Sequence, residues 1–385
     1  MKINPVELTK KLISFKSISP KDDGAIEYIA TLLKENGFNC KILEFGNHSN
    51  ETRVKNLYAK YINGTPNLCF AGHIDVVSPG QLKNWKFNPF KPEIRDAMLY
   101  GRGASDMKSG VAAFITAVVN LIEEKFQFDG SISMLITSAE ESEEEHGTKA
   151  VLEWMKNKKK RVDFCIVAEP TSNEKLGDTI KIGRRGSVSF KLICHGKQGH
   201  VAYPNLADNP IYKMISILNK IKNTIFDSGN RYFQPSNCEI TNIETGNNID
   251  NLIPGSITAN FNIRYNNMQT PKNLYKLISE ICSSITSNYK LFMYKNRDPF
   301  FSIPDKNIDI MLSAINKVAN IDTILNTSGG TSDAAFIKDI CSVIEFGMIN
   351  KTAHQVNECI PVNDIYKLTS IYKEFTKNYF LSLKE

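Results

Sequence analysis

The sequence predicts an α/β protein in which a mixed, mainly parallel sheet lies between helices and is interrupted by an inserted two-layer α+β domain. Three observations carry this reading. Leu68-Cys69-Phe70-Ala71, residues 131–137 and residues 164–168 are short apolar runs of the kind found in strands buried on both faces. Stretches with helical apolar spacing separate them, as in residues 8–15, 26–33 and 111–124. From Lys181 the texture changes to a strand–helix–strand–strand–helix order, which suits a small insert with one antiparallel sheet. The expected boundaries are residues 1–180 and 295–385 for the main domain and 181–294 for the insert, and 385 residues are enough to bury a core in each.

In chain order, Leu8, Leu12, Ile13 and Phe15 mark a first helix. Asp23-Gly24 opens a second, with Ile26, Ile29, Ala30 and Leu33 on its face and Gly37 as its stop. Strands follow around residues 40–43 and 56–61, then a turn at Asn63-Gly64 and a central strand into Gly72-His73-Ile74-Asp75-Val76. Residues two apart on a strand share a face, so Asp75 is positioned to hold one nitrogen of His73 while the other binds a metal. Residues 79–92, with Trp85, form a long loop that ends in Leu99-Tyr100-Gly101-Arg102-Gly103-Ala104-Ser105-Asp106-Met107-Lys108-Ser109-Gly110. Its glycines around one aspartate indicate backbone packed too closely for side chains. The strand at 131–137 runs into Ser138-Ala139-Glu140-Glu141-Ser142-Glu143-Glu144-Glu145. The later acids read as a solvated helix start, whereas Glu140 and Glu141 fall at the strand end, where adjacent side chains diverge. Residues 164–168 end at Glu169-Pro170.

In the insert, a strand at 187–194 leads through a polar turn, Gly196-Lys197-Gln198-Gly199-His200, to a helix at 209–221, strands near 238–243 and 256–265, and a helix at 271–286. Such a sheet leaves an edge free for a partner. After Asp298-Pro299 come a helix at 308–319, Thr327-Ser328-Gly329-Gly330-Thr331-Ser332-Asp333, a strand at 342–346 and Asn350-Lys351-Thr352-Ala353-His354.

A composition of 42% hydrophobic and 23% charged residues excludes a disordered chain. The net charge of +6 is scattered, and its densest run, residues 156–161, reads as a solvated helix end; no nucleic-acid partner is expected, though an anionic substrate would be attracted. The eight cysteines contain no Cys-x-x-Cys pair, and Cys69, Cys165 and Cys194 sit in apolar runs, so reduced thiols in the cytoplasm are expected. Met1-Lys2-Ile3-Asn4-Pro5 lacks an apolar export segment, and no stretch of membrane-spanning length is expected.

His73, Asp106, Glu140-Glu141, Glu169 and His354 each end an apolar run. Histidine and carboxylate without sulfur suit catalytic zinc with open positions, or cobalt or manganese. Three ligating carboxylates and a hydroxide would neutralise two dications, whereas the same acids around one ion would repel one another.

The His73, Asp106, Glu140-Glu141, Glu169 and His354 motifs resemble those of the dinuclear zinc aminoacylase and carboxypeptidase amidohydrolases, over essentially the whole chain. Further motifs extend the resemblance: Gly183-Arg184-Arg185-Gly186-Ser187, Gln198-Gly199-His200-Val201-Ala202-Tyr203-Pro204, Asn251-Leu252-Ile253-Pro254-Gly255, Ser328-Gly329-Gly330-Thr331-Ser332-Asp333 and His354-Gln355-Val356-Asn357-Glu358. The resemblance implies a zinc-peptidase-like catalytic domain and a ferredoxin-like insert serving dimerisation and as a lid. It implies two Zn2+ per subunit, replaceable by Co2+, with Asp106 bridging, His73 and Glu169 completing one position and Glu141 and His354 the other. Glu140 would be the general acid/base, Asp75 would orient His73, and the peptide after Asp106 would be cis.

The substrate implied is N-succinyl-LL-diaminopimelate, cleaved to succinate and LL-diaminopimelate in the lysine and cell-wall branch. Arg184 and Arg264 match its carboxylate binders, Arg185 a structural position, and Tyr203, Asn251, Gly330, Thr331 and Asn350 other contacts. The matching histidine places His200 as an oxyanion donor, presented to the other subunit of a homodimer. His48, His146 and His195 are assigned surface or satisfied roles. The chain departs from the family in Ala335, where arginine is frequent, and in Asp250, where asparagine is common. An acetylornithine deacetylase or dipeptidase would keep the same metal set. A non-catalytic dimeric binding protein would have lost Glu140 or a ligand, and all are present.

Overall fold

The computed structural model describes residues 3–46, 53–142 and 145–383, so His48, Glu143 and Glu144 lie outside the described residues. The chain forms two compact units, one of Met1–Ile182, Ser302–Asn326 and Ser332–Glu385, the other of Gly183–Phe301 and Thr327–Thr331.

The first unit is built on a sheet with eight strands among the described residues, in the spatial order Asn39–Phe45, Val54–Tyr61, Ser131–Thr137, Asn67–His73, Phe164–Val167, Ser342–Glu345, Thr179–Lys181 and Ile324–Asn326. Strands 131–137, 67–73, 164–167 and 342–345 run parallel to one another, while the strands beside them bring antiparallel pairings, so the sheet is mixed as expected. Every residue of Ser131–Thr137, Asn67–His73 and Phe164–Val167 is buried, which requires cover on both faces. Helix Ser109–Glu123 packs against Pro5–Ser14 and Val362–Leu381. Phe70 of the central strand stacks on Phe114 at 4.2 Å between centroids, and Tyr372 closes the cluster edge-on while donating its hydroxyl to the carbonyl of Phe346 at 2.5 Å.

Several elements differ from the sequence reading. Glu145 does not begin the next helix, which starts at Thr148 after Gly147. Between the long loop and the glycine-rich motif the chain forms a short hairpin that the sequence does not signal, Glu93–Arg95 with Met98–Tyr100, which Cys359–Pro361 joins as a third strand. Contrary to expectation, one described span, Ala104–Glu123, is long and apolar enough to cross a membrane; 83% of its most apolar window is buried, because it supplies the core helix and the irregular turn before it.

The second unit has an antiparallel sheet ordered Asn237–Glu244, Ser256–Tyr265, Gly186–His195 and Tyr289–Arg297. With helices Pro210–Lys222 and Pro271–Ser283 the chain order is βαββαβ, the ferredoxin-like arrangement. The final strand, Tyr289–Arg297, is not expected from the sequence, because its Lys-flanked apolar centre, Leu291-Phe292-Met293, is short. One face of the sheet and the helices bury Phe190 on Phe261 with Met214, Ile217, Leu274 and Ile278. The edge strand Asn237–Glu244 leaves Ile240 and Ile243 exposed at 38% and 52%.

Candidate metal centre

Strand register assembles the first half of the site. His73 lies opposite Thr137, and Ala71 lies opposite Val167, so the positions just beyond these pairs bring His73, Glu140-Glu141 and Glu169 to one sheet edge. This is the carboxyl edge, where parallel sheets place their ligands. Asp106 arrives on the turn Ala104–Lys108, whose Asp106-Met107 peptide is cis as the resemblance implies. Gly110 allows that turn to approach the Glu169 strand: a Cβ there would stand 2.7 Å from the Cβ of Ala168. Gly103 adopts φ +84°, and a Cβ would meet Val76 at 2.8 Å.

Asp106 faces two imidazoles with different oxygens. His73 Nε2 is 3.1 Å from Oδ1, and His354 Nε2 is 3.2 Å from Oδ2. His354 Nε2 is also 2.9 Å from Glu141 Oε1, and His73 Nε2 is 3.9 Å from Glu169 Oε1. Within 4.8 Å of one another lie ligand atoms of His73, Asp106 and Glu141, and separately of His73, Glu140 and Glu169. The all-N/O donor set and the two-sided aspartate fit a pair of divalent ions. Proximity alone would also admit Glu140 as a ligand of the His73–Glu169 position.

Asp75 acts differently from the expectation. The strand ends at His73, and Nδ1 of His73 lies 3.0 Å from the backbone carbonyl of Asp75, with the carboxylate at 3.7 Å. A carbonyl can only accept, so Nδ1 carries the proton, which leaves Nε2 as the nitrogen that would hold an ion. The Asp75 carboxylate instead accepts the amide N–H groups of Glu140 at 3.3 Å and Glu141 at 3.0 Å, fixing the turn that splays those two side chains.

Without an ion, protons occupy the centre. Burial pulls the His73 pKa down, but the hydrogen bond and charge of Asp106, with Asp75 and Glu140, raise it well above its ordinary value. The hydrogen bonds of Asp106 and Glu141 push His354 up to about 10 against the effect of burial. Burial raises the Asp106 carboxyl, yet His354 and His73 hold it well below the usual range. These shifts favour charged imidazoles on either side of one carboxylate, the charge pattern that two metal ions would make.

The other expected residues are distributed as follows. Asn350 is exposed in the first unit, its amide donating to Ser172 O at 2.9 Å. In the second unit, Arg184 is 9% exposed and donates from Nη1 to Gly330 O at 3.0 Å, next to Thr331. Arg264 sits on the middle of the sheet between Ser187 and Asn237; its Nη1 is buried without a hydrogen-bond partner among the described residues. Arg185 donates to Pro235 O and Asn237 Oδ1, a structural pattern. His200 is not in a simple turn: Gly199–His200 pairs with Leu252–Ile253 as a short strand, exposed, beside Asn251, whose carbonyl accepts from Val201 N at 3.1 Å. Its Nδ1 accepts from Ala202 N at 3.1 Å, and the ring lies 5.8 Å from that of the 60%-exposed Tyr203. His146 is half-buried, and its carbonyl accepts from Asn56. His195 is not fully satisfied, since its Nε2 is buried without a partner among the described residues. Ala335 is buried in the short helix Ala334–Ile337.

Arg102 and Glu358 stand inside the motifs with no role assigned from the sequence, yet both are buried at the centre. A charge pair separated by most of a chain has no local signal beyond charge inside otherwise small or apolar motifs.

A carboxylate- and histidine-lined sheet edge with a two-sided aspartate defines a hydrolase-type metal centre. Residues 69–378 match the family described as Peptidase family M20/M25/M40, and the chain belongs to it. It is 76% identical over 380 residues to the succinyl-diaminopimelate desuccinylase of Wolbachia pipientis wMel, covering 99% of this chain and 94% of that protein. It is 54% identical to the succinyl-diaminopimelate desuccinylase of Ehrlichia canis strain Jake, with 99% of each covered. In fold it is similar to the M20 metallo-carboxypeptidase Sso-CP2 from Sulfolobus solfataricus, with TM-score 0.78, 18% identity and coverage of 98% of this chain and 100% of that one. A second solved structure, Bacillus subtilis YXEP, described as a dinuclear metal binding peptidase of the M20 family, aligns with TM-score 0.69 and 15% identity over 98% of each chain.

Proposed function

We infer that this chain is a metal-dependent amidohydrolase that cleaves N-succinyl-LL-diaminopimelate to succinate and LL-diaminopimelate, in lysine and cell-wall precursor synthesis. The substrate reading is supported by relatives of that activity at 76% and 54% identity along nearly the full length. The observation that carries the chemistry is Asp106, whose two oxygens face His73 and His354 separately. It supports two ions, assigned as Zn2+ with Co2+ as a substitute, which Asp106 would share, with His73 and Glu169 holding one position and Glu141 and His354 the other.

When bound, the ion pair supplies Lewis acidity toward the amide carbonyl and lowers the pKa of water. Glu140 takes the proton of the attacking water and returns it to the leaving amine, which its place beside but diverging from Glu141 permits. Asp75 holds Nδ1 of His73 through its carbonyl and sets the Glu140-Glu141 turn through its carboxylate. Arg184 and Arg264 bind substrate carboxylates, for which a forked guanidinium is suited. Tyr203, Asn251, Gly330, Thr331 and Asn350 complete the binding set. The second unit serves as lid and dimerisation domain of a cytoplasmic homodimer, supported by its exposed edge strand Asn237–Glu244, and His200 donates to the oxyanion in the other subunit's site.

A coupled assay comparing N-succinyl-LL-diaminopimelate with N-acetylornithine on the zinc-loaded chain tests the substrate. Succinate release far exceeding acetate release is expected; the reverse preference would transfer the chain to the deacetylases.

A further inference from the structure

One buried ion pair ties together the two loops that carry the bridging aspartate and the second histidine. The Glu358 carboxylate is fully buried, and each of its oxygens accepts twice. Oε1 takes the amide N–H of Ser105 at 2.7 Å and of Asp106 at 3.1 Å; Oε2 takes the amide of Gly103 at 3.0 Å and Nη1 of Arg102 at 2.7 Å. Arg102, 2% exposed, turns its fork the other way as well. Its Nη2 donates to the carbonyl of His354 at 3.3 Å and its Nη1 to that of Gln355 at 3.2 Å. The guanidinium lies 5.1 Å from the ring centroid of Trp85, whose indole N–H is anchored on Pro79 O. His354 needs such a hold: it sits at φ +61°, in left-handed backbone that a non-glycine residue adopts only when its surroundings impose it, and its side chain is 50% exposed.

We propose that Glu358 and Arg102 are positioning residues with separate duties: Glu358 sets the Asp106 turn, and Arg102 sets His354 against it, so that this one pair determines the span between the two ion positions. The inference rests on the metal reading above. His73 and Glu169 stand on strand ends and owe nothing to the pair, so the duties predict different defects. Glu358→Gln replaces one acceptor oxygen with an N–H donor facing amide N–H groups, and it loosens the residue shared by both ions. Arg102→Lys keeps a cation for Glu358 but cannot span to the His354 and Gln355 carbonyls at once, and it loosens the Glu141–His354 position alone.

The test is Co2+ titration of metal-free protein, followed by visible absorption and by metal content after gel filtration, with His354→Ala as the one-ion reference. Wild type should take two ions. Arg102→Lys should keep the first at wild-type affinity, with the spectrum of the reference, and bind the second roughly 10- to 100-fold more weakly, the usual effect of residues behind a ligand. Glu358→Gln should weaken both. If Glu358→Gln does not fold, Arg102→Lys decides by itself. Two ions held by Arg102→Lys as in wild type, or an equal loss of both, overturns the assignment. A wild-type chain that never takes two ions overturns the metal reading, and this inference with it.

Discussion

The two halves of the candidate centre are built by different means. His73, Glu140, Glu141 and Glu169 project from the ends of three neighbouring parallel strands whose ladder sets their heights. Asp106 and His354 come from irregular backbone, one on a tight turn and the other at φ +61°, and are located by a buried pair 256 residues apart in sequence. The strand half is a by-product of the sheet. The loop half needs side chains whose work is to hold other side chains, so substitutions in it can alter one ion position while the fold survives.

That contrast can be broken or sharpened by substitution. The largest effect is expected at the strand end: Glu140→Ala should lower turnover toward the upper end of the roughly 10²- to 10⁴-fold range of general acid–base catalysis, with metal content by mass spectrometry unchanged. Loss of metal together with activity would make Glu140 a ligand, the alternative that its grouping with His73 and Glu169 leaves open. His200→Ala, in the second unit, should cost roughly 10²- to 10³-fold in turnover as an oxyanion donor. If His200 serves the partner, mixing the Glu140→Ala and His200→Ala proteins should restore part of the rate, because one site in each hybrid is whole; subunit exchange seen by mass without recovered activity would confine His200 to its own chain or to no role. Arg184→Ala should lower kcat/KM for the succinylated substrate by roughly 10- to 150-fold, the effect of a lost hydrogen bond to a charged group, and an unchanged value would move the carboxylate site elsewhere.

The smallest effect concerns the loop half. With His354 raised to about 10 from an ordinary 6.5 in the metal-free chain, its stabilising charge is fully present below about pH 6.5 and is lost as pH climbs toward 10. Ion capture must displace that proton, so apparent affinity should rise about tenfold per pH unit across the same window. Isothermal titration at pH 6.5, 7.5 and 8.5 would show it, and a flat profile would mean that the ion does not displace the His354 proton.

Legibility followed the same division. Apolar runs ending in histidine or acid marked the strand-end residues, because two-sided burial and strand period leave a local trace in composition. The role of Asp75 was only half legible: its closeness to His73 was readable, but that its carbonyl, and not its carboxylate, would meet Nδ1 depends on where the strand stops. The strand Tyr289–Arg297 escaped because its apolar centre is short and lysine-flanked, and its partner Gly186–His195 lies far back in the chain. Arg102 and Glu358 carry no local pattern beyond their charge, since what makes them matter is a contact between positions 256 residues apart.

The claim on which the account stands is that Asp106 is shared by two ions. Zinc content of wild type and of Asp106→Asn, measured after equilibration at fixed free zinc and gel filtration, addresses it directly. Two zinc ions per wild-type chain and neither retained tightly by Asp106→Asn is the predicted result. A single ion in wild type, or two ions still held by Asp106→Asn, would contradict it.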